Sequence, residues 1–314
     1  MSIRYSIVVP VFNEELVIEE SYRRLHDVME QTGEDYELIF VNDGSRDKTE
    51  ELVSALCDKD PHVRLLSFSR NFGHQTAITA GMDASSGQAV VVIDADLQDP
   101  PEVILDMIAK WKEGYDVVYG RRTVRDGETV FKKLTAKMFY RLLKSLTNVE
   151  IPVDTGDFRL IDRKVCDVMN SLTEKNRYVR GLVSWVGFRQ TEVAYHRKER
   201  FAGETKYPLK KMLKFALDGI TTFSYKPLKL ATYVGFSVSF LSFLYLLVVL
   251  YLKLFTDRAV SGWASTLSVS LIFNGVILIM LGIIGEYIGR IYDEAKNRPL
   301  YVIREKKGFD HEEN

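Results

Sequence analysis

Between Tyr5 and about Arg122 the chain alternates apolar runs of strand length with amphipathic stretches. Five runs predict strands: "SIVVPVF", "YELIFV", "VRLLSFS", "AVVVID" and "DVVYG". Their apolar character is continuous rather than alternating, as expected of strands covered by helices on both faces. Strands interleaved with helical patterns predict βαβ units and a largely parallel sheet. Asn13 is placed to cap a first helix carrying Glu14, Glu15 and a Leu16/Tyr22/Leu25 face, and Gly33 to stop it.

Beyond Arg122 the pattern predicts a basic helix over 131–147, a turn, strand and helix start in "DTGDFRLIDRKV", and a strand in "QTEVAYHRKE". In "KYPLKKMLKFALDGITTF", Leu209, Met212, Leu213, Ala216, Leu217, Ile220 and Phe223 recur at helical spacing opposite Lys210, Lys211 and Lys214. Such a helix suits the membrane interface. Two uncharged runs follow, Leu230 to Leu252 and Thr266 to Gly285. At about 1.5 Å per residue each can cross a hydrocarbon core roughly 30 Å thick. The expected organisation is a catalytic domain over 1–205, an amphipathic interfacial region over 206–227, a transmembrane hairpin over 228–289 with spans at about 230–252 and 266–288, and a cytoplasmic tail over 290–314.

At 314 residues, 46% hydrophobic and 27% charged, the chain can build one sizeable core and still supply that hairpin. The net charge of −1 conceals a bias. Lysines and arginines crowd the flanks before the first span (Lys206, Lys210, Lys211, Lys214, Lys226, Lys229) and after the second (Arg290, Lys296, Arg298), whereas the connecting loop holds only Lys253 and Arg258. By the positive-inside tendency both termini and the catalytic domain face the cytoplasm, in the plasma (bacterial inner) membrane. The opening "MSIRYSIVVPVF" lacks a basic head and cleavage site, so no secretory signal is expected. Cys57 and Cys166 each fall in a helical pattern and are expected to be buried, reduced thiols.

Four strand ends are unusually polar: "PVFNEE", "NDGSRDKT", "SRNFGHQ" and "DADLQDPPE". In open α/β sheets ligands gather outside the carboxyl ends of the strands, so these loops should share one edge. Neither G-x-G-x-x-G nor G-x-x-x-x-G-K-[ST] occurs, which argues against a dinucleotide oxidoreductase or a P-loop ATPase. Asp94 and Asp96 end an apolar run with adjacent like charges, a repulsion that a hard divalent cation would offset. With the amide oxygen of Gln98 they form an all-oxygen set suited to Mg²⁺ or Mn²⁺. His26, His62 and His196 read as structural; His74 lies nearer the polar edge without an assigned ligand role. No serine has a nucleophile-elbow context.

"PVFNEE", "NDGSRDKT", "RNFGHQTAITAG", "DADLQDPPE" and "DTGDFRLIDR", followed by "RFAGETKY" and two spans, resemble the polyprenyl-phosphate glycosyltransferases of glycosyltransferase family 2, relatives of dolichyl-phosphate mannose synthase. The resemblance covers nearly the whole chain, with the bacterial enzymes acting on undecaprenyl phosphate the most similar. It implies a GT-A (Rossmann-like) α/β fold and transfer of sugar from a nucleotide-diphosphate sugar to a polyprenyl phosphate lipid. By matching positions, Pro10, Phe12, Glu14 and Asp43 would border the nucleoside, and Asp94, Ala95, Asp96 and Gln98 the metal and diphosphate. Arg122, Arg200 and Lys206 would approach donor or acceptor phosphates, and Asp157 stands where the family has a candidate catalytic base. Because a phosphomonoester is mostly a dianion above its second pKa of about 6, Asp157 could instead orient the acceptor, position a basic partner such as Arg159, or stabilise developing positive charge on the sugar ring.

The resemblance of "DTGDFRL" to glucosyl-transferring members makes UDP-glucose the first expected donor, with GDP-mannose, UDP-N-acetylhexosamine and UDP-aminopentose as alternatives. A polysaccharide-extending transferase would carry Q-x-x-R-W, which this sequence lacks. A sensor without turnover would have no use for the acidic triplet, Asp157 and the Arg200/Lys206 pair. The expected partners are therefore the donor, the lipid and the membrane, without nucleic acid, and the hairpin leaves a homo-oligomer open.

Overall fold

The computed structural model describes residues 3–123, 155–197, 224, 226–255 and 262–309. The expected helix over 131–147, the basic amphipathic helix, Arg200 and Lys206 lie outside them. The described elements run β1 (Tyr5–Val11), α1 (Ile18–Glu30), β2 (Tyr36–Asn42), α2 (Thr49–Lys59), β3 (Val63–Phe68), α3 (His74–Ala84), β4 (Ala89–Val92), α4 (Val103–Lys112), β5 (Val117–Arg122), β6 (Thr155–Asp162), α5 (Arg163–Ser171), α6 (Val179–Trp185), β7 (Gln190–Tyr195), α7 (Lys226–Phe255), α8 (Trp263–Ala295) and β8 (Ile303–Lys307).

One eight-stranded sheet has the order β7-β5-β6-β4-β1-β2-β3-β8. β1 pairs in parallel with both β2 and β4, and β2 with β3. β6 runs antiparallel between β4 and β5, and β8 antiparallel on β3. Each face carries its own core. One gathers Ile18, Leu25 and Met29 of α1 with Val53, Leu56, Ile104 and Met107 of α2 and α4. The other gathers Ala77 and Ile78 of α3 with Val165, Met169 and Leu182 of α5 and α6. Two covered faces explain why the strands read as unbroken apolar runs.

The start of α1 differs from the expectation. The helix begins at Ile18, Leu16 is 73% exposed rather than part of its apolar face, and Asn13 sits at φ 54° instead of capping. The Asn13 side chain accepts from the Arg46 N–H at 2.8 Å, so it ties the loop after β1 to the loop after β2. Gly33 does follow the end of α1, at φ 64°.

α7 and α8, of 30 and 33 residues, contain the expected spans and expose apolar side chains along their length, among them Phe236, Phe240, Leu271 and Leu278. Over 230–252 and 266–285 that surface carries no charge and suits lipid rather than water. α8 outlasts its expected span and reaches Ala295. The segment read as a cytoplasmic tail then contributes β8 to the sheet, which the sequence reading did not foresee.

Gly81 on α3 packs where an added Cβ would meet Val8 Cγ1 at 2.2 Å. In an exposed helix Gly→Ala would stabilise by up to ~1 kcal/mol, but intrusion into a packed core costs ~1–3 kcal/mol. Gly81→Ala is therefore expected to lower the thermal midpoint of the catalytic domain by about 2–6 °C, measured by scanning calorimetry. An unchanged or raised midpoint would mean α3 sits further from β1 than described.

Candidate active site

β2 and β3 extend from β1 on one side and β4 lies on the other, so the strand order reverses between β1 and β4. That crevice is where an open α/β sheet presents ligands. β4 pairs with β1 only as far as Val8 and Val92. The Val8 carbonyl accepts from Ile93 on the β4 side, and Pro10, two residues on, faces the same side beyond the end of β4. A missing N–H is harmless there, and the crevice stays open. Pro10, Phe12, Asp94 and Ala95 thus lie at its mouth.

Asp94 and Asp96 fall beyond the end of β4. The chain turns through Leu97, buried at φ 58°, a left-handed conformation costing a branched residue of order 1–3 kcal/mol. The Gln98 N–H donates to Asp96 Oδ1 at 3.1 Å within this turn. Because β6 is antiparallel, its beginning lies at the site edge. Val92 pairs with Arg159, so extending the register by two residues sets Asp157 level with Asp94.

Asp157 is 6% exposed. Arg180 of α6 grips it with both arms, Nε to Oδ1 at 2.8 Å and Nη2 to Oδ2 at 3.1 Å, and Gln75 Nε2 adds a bond to Oδ2 at 3.3 Å. His74 Nε2 lies 3.3 Å from Asp157 Oδ2 and 3.5 Å from Asp94 Oδ1, bridging the two carboxylates. Burial alone would raise the Asp157 pKa, but Arg180 and then His74 hold it well below the carboxylate range. Against burial, Asp94 and Asp157 raise His74 to about 9, so the imidazole is a cation at neutral pH. Asp94 itself is pushed up to about 6 by burial and by the like charges of Asp157, Asp96 and Asp99, opposed by His74.

Arg159, 3% exposed, does not take the Asp157 carboxylate. Its Nη2 donates to the Gly156 carbonyl at 2.8 Å and its Nε to the Asp157 carbonyl at 3.2 Å, and burial lowers its pKa to about 10. The basic partner of Asp157 is Arg180 instead. Arg122 is tucked against Gly156, where a Cβ would come within 2.4 Å of its guanidinium. It reaches Asp99 Oδ2 at 3.5 Å and donates to Tyr195 Oη at 3.3 Å. Asp99, 1% exposed, also accepts from Tyr195 Oη at 2.5 Å and pairs with Arg197 Nε at 3.2 Å.

Asp43 ends its strand with both oxygens turned to the backbone ahead of α3, accepting from Phe72 N at 2.6 Å and from Gly73 N at 3.0 and 3.2 Å. The Glu14 N–H donates to Thr49 Oγ1 at 2.8 Å, fixing the loop after β1 against α2. The structure therefore brings Pro10, Phe12, Glu14, Asp43, Asp94, Ala95, Asp96, Gln98, Arg122 and Asp157 to one sheet edge; Arg200 and Lys206 are outside the described residues. Sequence reasoning missed His74, Gln75, Arg180, Asp99 and Tyr195. "RNFGHQ" and the third acid of "DADLQD" carried a usable signal, whereas Arg180 sits in a helix with nothing to mark it.

Two family models match the chain: Glycosyl transferase family 2 over residues 6–169, and GtrB C-terminal hairpin over residues 226–291. An uncharacterized glycosyltransferase, YkcC, of Bacillus subtilis is 65% identical, covering 98% of this chain and 96% of that protein. A bactoprenol glucosyl transferase of Shigella phage SfV is 44% identical over 97% of this chain and 99% of its own length. A prophage-derived bactoprenol glucosyl transferase of Shigella flexneri is likewise 44% identical, over 96% of this chain and 97% of that protein.

Removing the fork on Asp157 leaves a buried carboxylate held by His74 and Gln75. Arg180→Met is expected to destabilise the folded chain by about 3 kcal/mol at pH 7, the low end for a broken buried pair because His74 stays. The lowered pKa means that Asp157 stabilises the wild type above its ordinary value of about 3.9 and loses that contribution only as pH falls through its lower folded value. The variant's deficit should thus shrink as pH falls, once its own Asp157, without the guanidinium, takes up a proton while that of the wild type stays ionised. Denaturant unfolding at several pH values measures it; a deficit that does not change with pH would show that Arg180 acts by packing alone.

Proposed function

This chain belongs to glycosyl transferase family 2, and on that premise we propose that it moves glucose from UDP-glucose to a polyprenyl phosphate at the cytoplasmic face of the membrane, with inversion at the anomeric carbon. The observation that carries the reading is the conjunction of an acidic, cation-braced crevice at the strand-order switch with an apolar hairpin in the same chain. Relatives named bactoprenol glucosyl transferases, similar along nearly the whole length, support both acceptor and sugar.

In the reaction a phosphate oxygen of the lipid forms a bond to the anomeric carbon as the bond to the diphosphate oxygen breaks, and UDP leaves. The acceptor is already mostly a dianion near neutral pH, so little proton removal is needed. Asp157 is ionised but spoken for, with Arg180, Gln75 and His74 on its oxygens. Its role is to fix those groups beside the reacting atoms, so that positioning rather than proton abstraction supplies the rate. His74⁺ and Arg180 add positive charge where two anionic phosphates must meet, an approach strongly repulsive without cations. Arg122, Arg200 and Lys206 extend that role, with Arg forks suited to phosphate oxygens.

Among the described residues no three His, Cys, Asp or Glu side chains form a ready metal cage. Mg²⁺ and Mn²⁺ do not need one, since they bind through one or two carboxylates with waters and substrate phosphates. Two carboxylates and an amide at the end of β4 form an all-oxygen donor set that suits such an ion, and the Asp94 pKa, raised first by burial and then by the like charges of Asp157, Asp96 and Asp99, is in keeping with it. Asp94, Asp96 and the Gln98 amide would hold it, and the bound ion would neutralise charge developing on the leaving diphosphate. Pro10, Phe12, Glu14 and Asp43 would border the nucleoside; the carboxylates suit base N–H and ribose hydroxyl donors. Lysines and arginines flanking the hairpin support cytoplasmic termini.

Vesicles holding the full chain, radiolabelled UDP-glucose, undecaprenyl phosphate and Mg²⁺ are expected to yield butanol-extractable label with inverted linkage. Excess chelator, or alanine at both Asp94 and Asp96, should cut the rate by about 10³-fold or more. Asp157→Asn should lower kcat/KM without abolishing any rising limb above the acceptor's second pKa of about 6, and its alkaline fall should set in at lower pH than in the wild type, because Asp157 helps hold the His74 proton. Transfer at full speed in chelator sinks the metal role; a wild-type rate that climbs with pH and loses that slope in Asp157→Asn sinks the positioning role.

A further inference from the structure

The segment leaving the second span is built into the wall of the donor side. β8 lies antiparallel on β3, and the Ser69 N–H donates to the Val302 carbonyl at 3.0 Å. The Tyr301 ring stacks on Phe68, with centroids 5.2 Å apart and planes at 18°, and its hydroxyl donates to Asp83 Oδ2 at 2.8 Å. Phe68 in turn meets Phe72 edge to face at 5.6 Å. The Phe72 and Gly73 amides are the ones bonded to Asp43, and the next two residues are His74 and Gln75. A second path runs from Arg304 to Glu50, whose other oxygen accepts from Asn42 Nδ2 at 2.7 Å, one residue before Asp43.

We propose that Tyr301 is a positioning residue for the donor: by stacking on Phe68 it holds the β3–α3 loop in the place where that loop fixes Asp43 and presents His74 and Gln75. The inference rests on the reading that Asp43 borders the donor nucleoside. A strand that only sealed the sheet edge would contribute stability and nothing else. A loop braced from the tail makes a different demand, because loosening it misplaces groups on the donor without touching the acceptor's path from the bilayer. Ring stacking beyond simple apolar cover is the interaction at stake, and Phe supplies it as well as Tyr does, whereas Leu covers Phe68 without stacking.

The test compares Tyr301→Phe and Tyr301→Leu as full chains in vesicles with UDP-glucose and undecaprenyl phosphate. Tyr301→Phe should keep the donor KM within about twofold of wild type, and Tyr301→Leu should raise it about three- to tenfold, the factor expected for one lost aromatic pair. The acceptor KM should stay within about twofold in both variants and kcat within about twofold in Tyr301→Phe, whereas in Tyr301→Leu kcat falls as well, because the displaced loop carries His74. Hydrogen exchange in the Ser69–Gln75 segment should quicken in Tyr301→Leu and not in β1. If the leucine variant does not fold, Tyr301→Met makes the same comparison. A leucine variant with lowered melting temperature but unmoved donor KM overturns the proposal, as does a phenylalanine variant as impaired as leucine. A wild-type chain that transfers no sugar overturns the functional reading, and this proposal with it.

Discussion

Four carboxylates, those of Asp94, Asp96, Asp99 and Asp157, gather at one end of the sheet, and the site depends on how their mutual repulsion is settled. At low effective dielectric each like-charge neighbour costs several kcal/mol, so the cluster persists only with cations interleaved. Asp99 is settled by Arg122, Arg197 and the Tyr195 hydroxyl, and Asp157 by the two-armed grip of Arg180. His74 is shared between Asp157 and Asp94. Asp94 remains the least compensated of those whose balance is visible, with its pKa pushed up to about 6. It is also about 30% exposed, while Asp157 and Asp99 are nearly sealed. The fold therefore neutralises Asp99 and Asp157 internally and leaves Asp94 the more open acid at the mouth, where the proposed cation and donor diphosphate would sit.

That arrangement follows from one topological choice. Were β6 parallel like its neighbours, its beginning, "TGDF", would lie at the opposite edge of the sheet. Running antiparallel between β4 and β5, it returns Asp157 to the level of Asp94, and the helix α6 that follows brings Arg180 back over it. The β4 strand, four residues long, ends early enough for "DADLQD" to turn through Leu97 and fold Asp99 inward toward Arg122 and Tyr195. Burial of so many charges is affordable in free energy only because each sealed carboxylate has a fitted guanidinium or hydroxyl.

Much of this was legible in the sequence because it rests on short-range pattern. Unbroken apolar runs gave the five strands to within a residue or two, since both faces of the sheet are covered. The two uncharged runs gave the two long helices, which expose apolar side chains and are long and apolar enough to cross a membrane. What stayed hidden depends on register and on distant pairing. Arg180 reads as an ordinary polar position on a short helix, and only the antiparallel entry of β6 sets it on Asp157. Arg159, two residues along the same strand, was the natural guess for that partner, yet its side chain turns to backbone carbonyls. β8, "IREKK", has no apolar alternation because it is an edge strand whose Arg304 and Lys307 reach Glu50 and Asp58 of α2 rather than an apolar core. Asn13 looked like a cap because its type suits one; its positive φ and its bond to Arg46 belong to loop chemistry that no periodicity reveals.

The length of α8 links the hairpin to the chemistry. Its 33 residues span about 50 Å, whereas the hydrocarbon core needs roughly 30 Å. The helix thus continues past its uncharged run, and Glu294 near its end accepts from the Lys175 N–H, in the loop that leads into α6 and Arg180. β8 then fastens the chain to β3 a few residues later. A domain joined to its anchor by one flexible linker would sample many heights and tilts, and would meet a lipid head group in the right pose only a small part of the time. A rigid helical post fastened once to the loop before α6 and once, through β8, to the sheet restricts that freedom before any substrate arrives. The orientation entropy is then met in folding rather than in each encounter, as a reaction between a soluble donor and a head group confined to one depth requires.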